Sequence, residues 1–243
     1  RELNIGVAKP SSVQLDSIHH YFINSHSIQE EVSVKTFEHY ALKAVYEIFK
    51  GNDIAIMAGG TGLYIKAFCD GLDDIPLADE LIRKEINMAY NEQGMEWLQN
   101  KIKKEDPLYF ASGEMENPQR LLRALEVKLS TGKSIINFQS GKKIQRDFNI
   151  EKINLEIPRQ ILYERINRRV DEMMEQGLLK EAASLFPYRH LNALQTVGYR
   201  ELFEFMGDKI SLDEAIEKIK INTRHFAKRQ ITWFKKHLVH ASH

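Results

Sequence analysis

The feature that most constrains this 243-residue sequence is a junction in its first quarter. Ser33 opens a helical pattern with Phe37, Ala41, Ala44, Val45, Ile48 and Phe49 on one side, and the pattern stops at Gly51-Asn52. Asp53-Ile-Ala-Ile-Met-Ala58 follows as an apolar run of strand length, closed by Gly59-Gly60-Thr61-Gly62, after which Leu63, Tyr64, Ala67 and Phe68 resume helical spacing. Helix, buried strand, glycine turn and helix in that order are α/β grammar. The turn lies where a strand's carboxyl end meets a helix's amino end, so free N–H groups and the helix dipole converge on it and suit a phosphate. A glycine turn serving only tight strand-to-helix packing has the same sequence.

A second strand is expected at Ile153-Asn-Leu-Glu-Ile157, where apolar residues alternate. Pro158 then leads into a helix carrying Ile161, Leu162, Ile166, Val170 and Met173, which Gly177 ends or bends. Between the two strands, Asp73 to Glu116 reads as a helical insertion, with runs at Asp79–Tyr90 and Glu96–Lys104 separated by Gly94. The expected organisation is therefore an α/β core from residues 1–72 and 117–243, with a helical insertion domain at 73–116. Ser211 and Glu214 form a capping-box pair for a last helix with Ile216, Ile219, Thr223, Phe226 and Phe234 inside.

Composition narrows the function. Lys plus Arg and Asp plus Glu both number 34, so the total charge makes no case for a polyanionic partner. The charge is polarised, however. The insertion holds eleven acidic against five basic residues, while Lys218 to Lys236 holds seven basic and no acidic one. A single cysteine, Cys69, excludes an internal disulfide and a four-thiolate metal site built from this chain alone, and fits a reducing, cytoplasmic setting. The most apolar stretch, Ile54 to Phe68, is broken by glycines and carries Lys66, so it cannot span ~30 Å of hydrocarbon. The nine histidines form no His-Glu-x-x-His pattern and there is no Gly-x-Ser-x-Gly elbow, so neither a protein-built zinc site nor that hydrolase class is expected. Arg1 is not a start methionine, so the chain is expected to begin inside a longer gene product.

Three clusters have the residue types for phosphate chemistry. Arg165, Arg168 and Arg169 put at least two guanidinium groups on one helical side, a fork suited to phosphate oxygens; Glu164 and Asp171 are near enough to make it an ion-pairing helix instead. Gln119, Arg120 and Arg123, after Asn117-Pro118, share one edge beside an apolar stripe. Lys220, Arg224 and Lys228 recur every four residues, where like charges repel by a few tenths of a kcal/mol per pair, a strain that a polyanion relieves. A solvated basic face is the plain alternative.

The order of these segments carries a resemblance. Ile5-Gly6-Val7-Ala8-Lys9-Pro10, Ala58-Gly-Gly-Thr-Gly-Leu-Tyr64, Asn117-Pro-Gln-Arg-Leu-Leu-Arg-Ala-Leu-Glu-Val127, Gln195-Thr-Val-Gly-Tyr-Arg200 and Ala227-Lys-Arg-Gln-Ile-Thr-Trp233 together resemble the bacterial tRNA dimethylallyltransferases, from Asn4 to about Lys236. The resemblance implies transfer of a dimethylallyl group from dimethylallyl diphosphate to N6 of the adenosine 3′ of a tRNA anticodon, at tRNA position 37. Mg2+ assists departure of diphosphate. It also implies a P-loop NTPase-like α/β core, with a parallel sheet and an ATP-binding type of fold around the helical insertion, in a cytoplasmic monomer.

Roles carry over where residues match. Thr61 resembles a residue lining the reaction channel near tRNA, and Arg169, with Arg165 beside it, resembles the arginine that holds the diphosphate; Thr61 and Arg169 are thus the catalytic candidates. Arg83 resembles an insertion-domain tRNA contact. Gln119, Arg120 and Arg123, then Gln195, Thr196, Gly198, Tyr199 and Arg200, resemble tRNA-contacting stretches, and Arg224, Lys228, Arg229 and Lys235 lie in a basic tRNA-facing segment. The family's phosphate-cradling loop and its Asp-Ser-x-Gln segment, which carries the presumed general base, are expected before Arg1. His20 matches a family histidine, but its neighbours in His19-His20-Tyr-Phe-Ile-Asn24 depart from the pattern. The rival readings are a P-loop small-molecule kinase, which has no need of the basic carboxyl-terminal segment, and a non-catalytic RNA-binding module, which leaves the glycine turn and Arg165–Arg169 idle.

Overall fold

The computed structural model of the protein describes residues 1–7 and 9–238; Ala8, inside the first motif, lies outside them. The chain divides into two compact units, Arg1–Cys69 with Arg146–His243, and Asp70–Gln145. The first unit contains α1 (Ser12–Ser17), α2 (Val34–Ile48) and α3 (Gly62–Asp70, whose last residue crosses into the second unit). The second contains α4 (Glu80–Glu105), α5 (Pro107–Ser112) and α6 (Pro118–Thr131). The chain then returns to the first unit as α7 (Arg159–Glu175), α8 (Leu178–Leu185), α9 (Tyr199–Met206) and α10 (Leu212–Leu238).

The core of the first unit is made where α7 to α10 turn their apolar stripes together. Val170, Leu178, Ala182, Leu185, Tyr199, Leu202, Phe203, Ala215 and Ile219 are all buried there. Spacings of three and four residues put each set on one helical face, and burying a large apolar side chain contributes roughly 1.5–3 kcal/mol. The helix boundaries follow local chemistry. Ser33 Oγ accepts from Thr36 N at 3.0 Å, and at α10 Ser211 Oγ accepts from Glu214 N at 3.2 Å while the Glu214 carboxylate accepts from Ser211 N at 2.7 Å. Gly177, at φ 99°, adopts the left-handed conformation between α7 and α8. Phe226, expected on the inner face of α10, is instead exposed.

A smaller cluster joins α2 and α3 through Val45, Phe68 and Cys69. It is tied by Arg146, which is nearly buried. Its guanidinium donates to Glu38 at 2.6 Å and to the carbonyls of Ala67 and Phe68 at 2.9 and 2.8 Å, satisfying oxygens in the last turn of α3.

The described residues include no strand, so the expected parallel sheet is not seen among them. Residues 53–60 and 149–157 make no backbone–backbone hydrogen bonds there. Ile54, Ile56, Ile153 and Leu155 are 76, 88, 78 and 84% exposed rather than buried. The physical reason is that a strand is a pairwise object: without a neighbour to share N–H and C=O groups, alternating side chains have no layer to pack against.

In the second unit α4 packs along α6, burying Leu98, Ile102, Leu121, Leu125 and Val127. This unit, Asp70–Gln145, takes in the segment read as a helical insertion together with α6. α6, read from the sequence as part of the core, falls in this unit because its apolar stripe packs on α4. Gly94 interrupts α4 at φ 76°, ψ −163°, a conformation essentially restricted to glycine. Gly94→Ala is expected to cost about 1–3 kcal/mol by urea denaturation, and a smaller loss would mean that the break straightens freely.

Candidate functional site

The glycine turn opens α3, its Thr61 carbonyl accepting from Tyr64 N and Ile65 N at 2.9 and 3.1 Å. Its glycines lie directly on α10: a Cβ on Gly60 would meet the Gln230 amide, and one on Gly62 would meet the Trp233 indole. Close packing thus accounts for these two glycines, while the exposed Thr61 side chain is left facing solvent. The same contact draws the turn to the basic helix, because Lys228 and Lys235 of α10 line a cavity of about 820 Å³ together with Met57, Ala58 and Gly59. Its other walls include residues 148–157 and Leu162 and Tyr163 of α7. Thr61, Arg165 and Arg169 do not line it.

On α7 the arginines separate into used and unused. Arg168 pairs with Glu172 at 3.5 Å, whereas Arg165 and Arg169 are exposed and make no ion pair among the described residues. The two acids near enough in sequence to neutralise them are engaged elsewhere: Glu164 accepts from Gln160 at 3.2 Å, and Asp171 pairs with Lys220 at 2.8 Å. Tyr163 is flanked by two guanidinium groups, Arg159 at 5.1 Å and Arg224 at 5.9 Å from its ring centroid, and Arg224 also donates to Asn167 Oδ1 at 3.0 Å.

The seven basic residues of α10 are therefore not seven unpaired charges. Lys218 pairs with Glu204 at 2.9 Å, and Lys220 bridges Asp171 and Glu217. The hydrogen bond from Lys220 to Asp171 raises the lysine's pKa. Burial opposes that shift, and Glu217 adds to it. With Arg224 held by Asn167, the regular row of three leaves Lys228 as its unengaged member. Lys228, Arg229 and Lys235 are exposed and make no ion pair among the described residues, Arg229 lying 5.7 Å from the Phe226 ring.

The Gln195–Arg200 stretch splits in a similar way. Gln195, Thr196 and Arg200 are exposed, Gln195 donating to the Arg189 carbonyl at 2.6 Å and Arg200 to Glu201 Oε1 at 3.0 Å. Gly198 is buried at φ 103°, and Tyr199 is 0% exposed, so the Tyr199 side chain has no surface to offer a ligand. The phenol donates to Glu181 Oε1 at 2.5 Å, and burial, with Glu181 beside it, pushes its pKa up. Burial alone would raise the Glu181 pKa, but the Tyr199 hydrogen bond and the backbone N–H groups of Ile5, Gly6 and Asn4 hold it below the usual carboxylate range. Nothing in the sequence marks Glu181, because the backbone N–H groups it binds lie more than 170 residues away.

In the second unit Arg83 and Arg123 converge on the buried Glu126 carboxylate at 3.5 and 3.6 Å, and Arg123 also donates to the Pro76 carbonyl at 2.9 Å. Arg120 pairs with Glu114, and Gln119 stays exposed at the amino end of α6, where Asn117 caps the N–H groups of Gln119 and Arg120. Of the residues carried over by resemblance, Gln119 is thus the least engaged in this unit.

The family model described as IPP transferase matches residues 1–237. The tRNA dimethylallyltransferase of Christiangramia forsetii is 46% identical over 236 residues, covering 97% of this chain and 78% of its own length. That of Flavobacterium johnsoniae is 46% identical over 242 residues with the same coverages. The crystal structure of the tRNA isopentenylpyrophosphate transferase from Bacillus halodurans matches with a TM-score of 0.67 at 35% identity, covering 98% of this chain and 75% of that one. A eukaryotic dimethylallyltransferase caught acting on tRNA matches with a TM-score of 0.74 at 26% identity, covering 95% and 59%. The chain belongs to the IPP transferase family, and its overall fold is that of the tRNA isopentenyltransferases.

Proposed function

We propose that the protein is a tRNA dimethylallyltransferase, moving the dimethylallyl group of dimethylallyl diphosphate to N6 of the adenosine 3′ of a tRNA anticodon and releasing diphosphate. The observation that carries this reading is 46% identity to tRNA dimethylallyltransferases over 97% of the chain. The adenine amine is a poor nucleophile, since its lone pair is delocalised into the ring. The site must orient it, accept the proton that N6 loses as the new C–N bond forms, and stabilise the diphosphate as its bond to the allylic carbon breaks. Arg165 and Arg169, cationic and without ion partners among the described residues, suit the departing anion. Thr61, at a turn packed on α10, suits the channel wall beside the base. An anticodon-loop base is reached by turning it out of its stack, which costs on the order of a few kcal/mol. Arg224, Lys228, Arg229 and Lys235, with Gln195, Thr196 and Arg200, then hold the loop backbone, and Arg83, Gln119, Arg120 and Arg123 contribute from the second unit.

The described residues include no group of three His, Cys, Asp or Glu side chains placed to hold a metal. Mg2+ would therefore be held chiefly by the substrate diphosphate, whose charge it would help to neutralise. The ion commonly keeps its waters and binds through substrate phosphates. The apolar runs 53–58 and 153–157 are read as segments of a P-loop-like parallel-sheet core, in a monomeric cytoplasmic enzyme. No described helix is long and apolar enough to cross a membrane.

Incubation with tRNA and labelled dimethylallyl diphosphate tests the reading. Label in tRNA supports it; phosphate transfer from ATP, or tRNA retention without label, overturns it. Lys228→Glu is expected to weaken tRNA binding uniformly across sequences and to reduce the salt slope of log Kd by about one. An unchanged slope would remove that face of α10 from the interface.

A further inference from the structure

Two of the segments that carry the family resemblance are joined by one side chain outside both. Glu181, on α8, accepts from three successive backbone N–H groups: Asn4 to Oε2 at 3.2 Å, Ile5 to both oxygens at 3.1 and 3.0 Å, and Gly6 to Oε1 at 3.1 Å. Successive N–H groups aimed at one point form a concave anion cradle, here filled by a carboxylate from the protein itself. The fourth donor is the Tyr199 hydroxyl at 2.5 Å. The same tyrosine fills the space above Gly6, where an added Cβ would come within 2.5 Å of its ring.

The tyrosine is fixed in turn. Gly198 N donates to the buried Glu201 at 2.8 Å, and Glu201 also accepts from Arg200 at 3.0 Å and from Asn222 of α10 at 2.7 Å. The chain of contacts therefore runs from the Asn4–Gly6 turn through Glu181 and Tyr199 to Arg200, then through Glu201 to α10. We propose that Glu181 is a positioning residue for tRNA, holding the Asn4–Gly6 turn and the Gln195–Arg200 segment in one register so that Gln195, Thr196 and Arg200 meet the RNA together. This rests on the tRNA-modifying reading above.

The chemistry dictates the informative variant. Glu181→Gln keeps size and shape but replaces one acceptor oxygen with an amide NH2. That group faces backbone N–H donors and cannot bond them, and the charge that strengthens the remaining bonds is gone. The Gln variant is expected to show faster hydrogen exchange at the Asn4, Ile5 and Gly6 amides and a KM for tRNA raised about tenfold. The KM for dimethylallyl diphosphate should be unchanged and the fold retained by circular dichroism. Glu181→Ala should exaggerate each change. Unchanged exchange would refute the clamp. Faster exchange with an unchanged tRNA KM, or an equal rise in both KM values, would refute the positioning role and leave a purely structural tie. A wild-type protein that neither binds nor labels tRNA would overturn the function and this inference together, whereas labelling by wild type with an unaffected variant would overturn this inference alone.

Discussion

Arg169→Ala is expected to lower kcat/KM for dimethylallyl diphosphate by about 10²-fold or more while leaving the Kd for tRNA within about twofold. The expectation rests on what the neighbouring acids are doing. Asp171 is engaged by Lys220 and Glu164 by Gln160, so the Arg169 guanidinium is exposed with no ion partner to lose among the described residues. Removing it leaves no buried carboxylate stranded, so stability should change by less than about 0.5 kcal/mol, as for an ordinary surface substitution. Steady-state kinetics with donor and tRNA varied separately, alongside tRNA binding, make the comparison. Equal loss in both substrates would refute the assignment of Arg169 to the diphosphate. Arg168→Ala is the control, because its guanidinium already pairs with Glu172 and little effect is expected.

Tyr199→Ala is expected to destabilise the protein by about 3–5 kcal/mol, the range for deleting a large buried ring. The ring is fully buried in the α7–α10 core, lies 6.4 Å from Phe203 between centroids and covers Gly6. Its loss leaves a cavity and takes one donor from Glu181. Tyr199→Phe retains the ring and removes only the hydroxyl, so a loss of about 1–3 kcal/mol is expected from the under-satisfied carboxylate. Urea denaturation separates the two, and a Phe variant as unstable as the Ala variant would show that the hydroxyl, not the packing, holds the core.

What the sequence made legible was local. The capping serines Ser33 and Ser211, the break at Gly94 and the turn at Gly177 are each set by a few adjacent residues, and each stands where its spacing puts it. The illegible part was pairwise and long-range. The stripe on α6 is equally compatible with either unit until α4 is known to cover it, which is why α6 falls in the Asp70–Gln145 unit. The runs at 53–58 and 153–157 have strand composition, but composition does not supply a neighbour. The same holds for charge. Lys218, Lys220 and Arg83 look available in the sequence, yet acids from other elements engage them, and Arg123 shares Glu126 with Arg83. Arg165 and Arg169 look neutralised by Glu164 and Asp171, yet those acids are committed elsewhere.

The bare runs at 53–60 and 149–157 also bear on handling. Runs without backbone–backbone partners among the described residues, flanked by exposed isoleucines, are a template for adding strands, those of the protein's own sheet core or, failing that, of another molecule. Concentrated samples of this polypeptide should self-associate edge to edge, reversibly at first and then into sediment. A lysine placed at Ile56 should postpone the clouding.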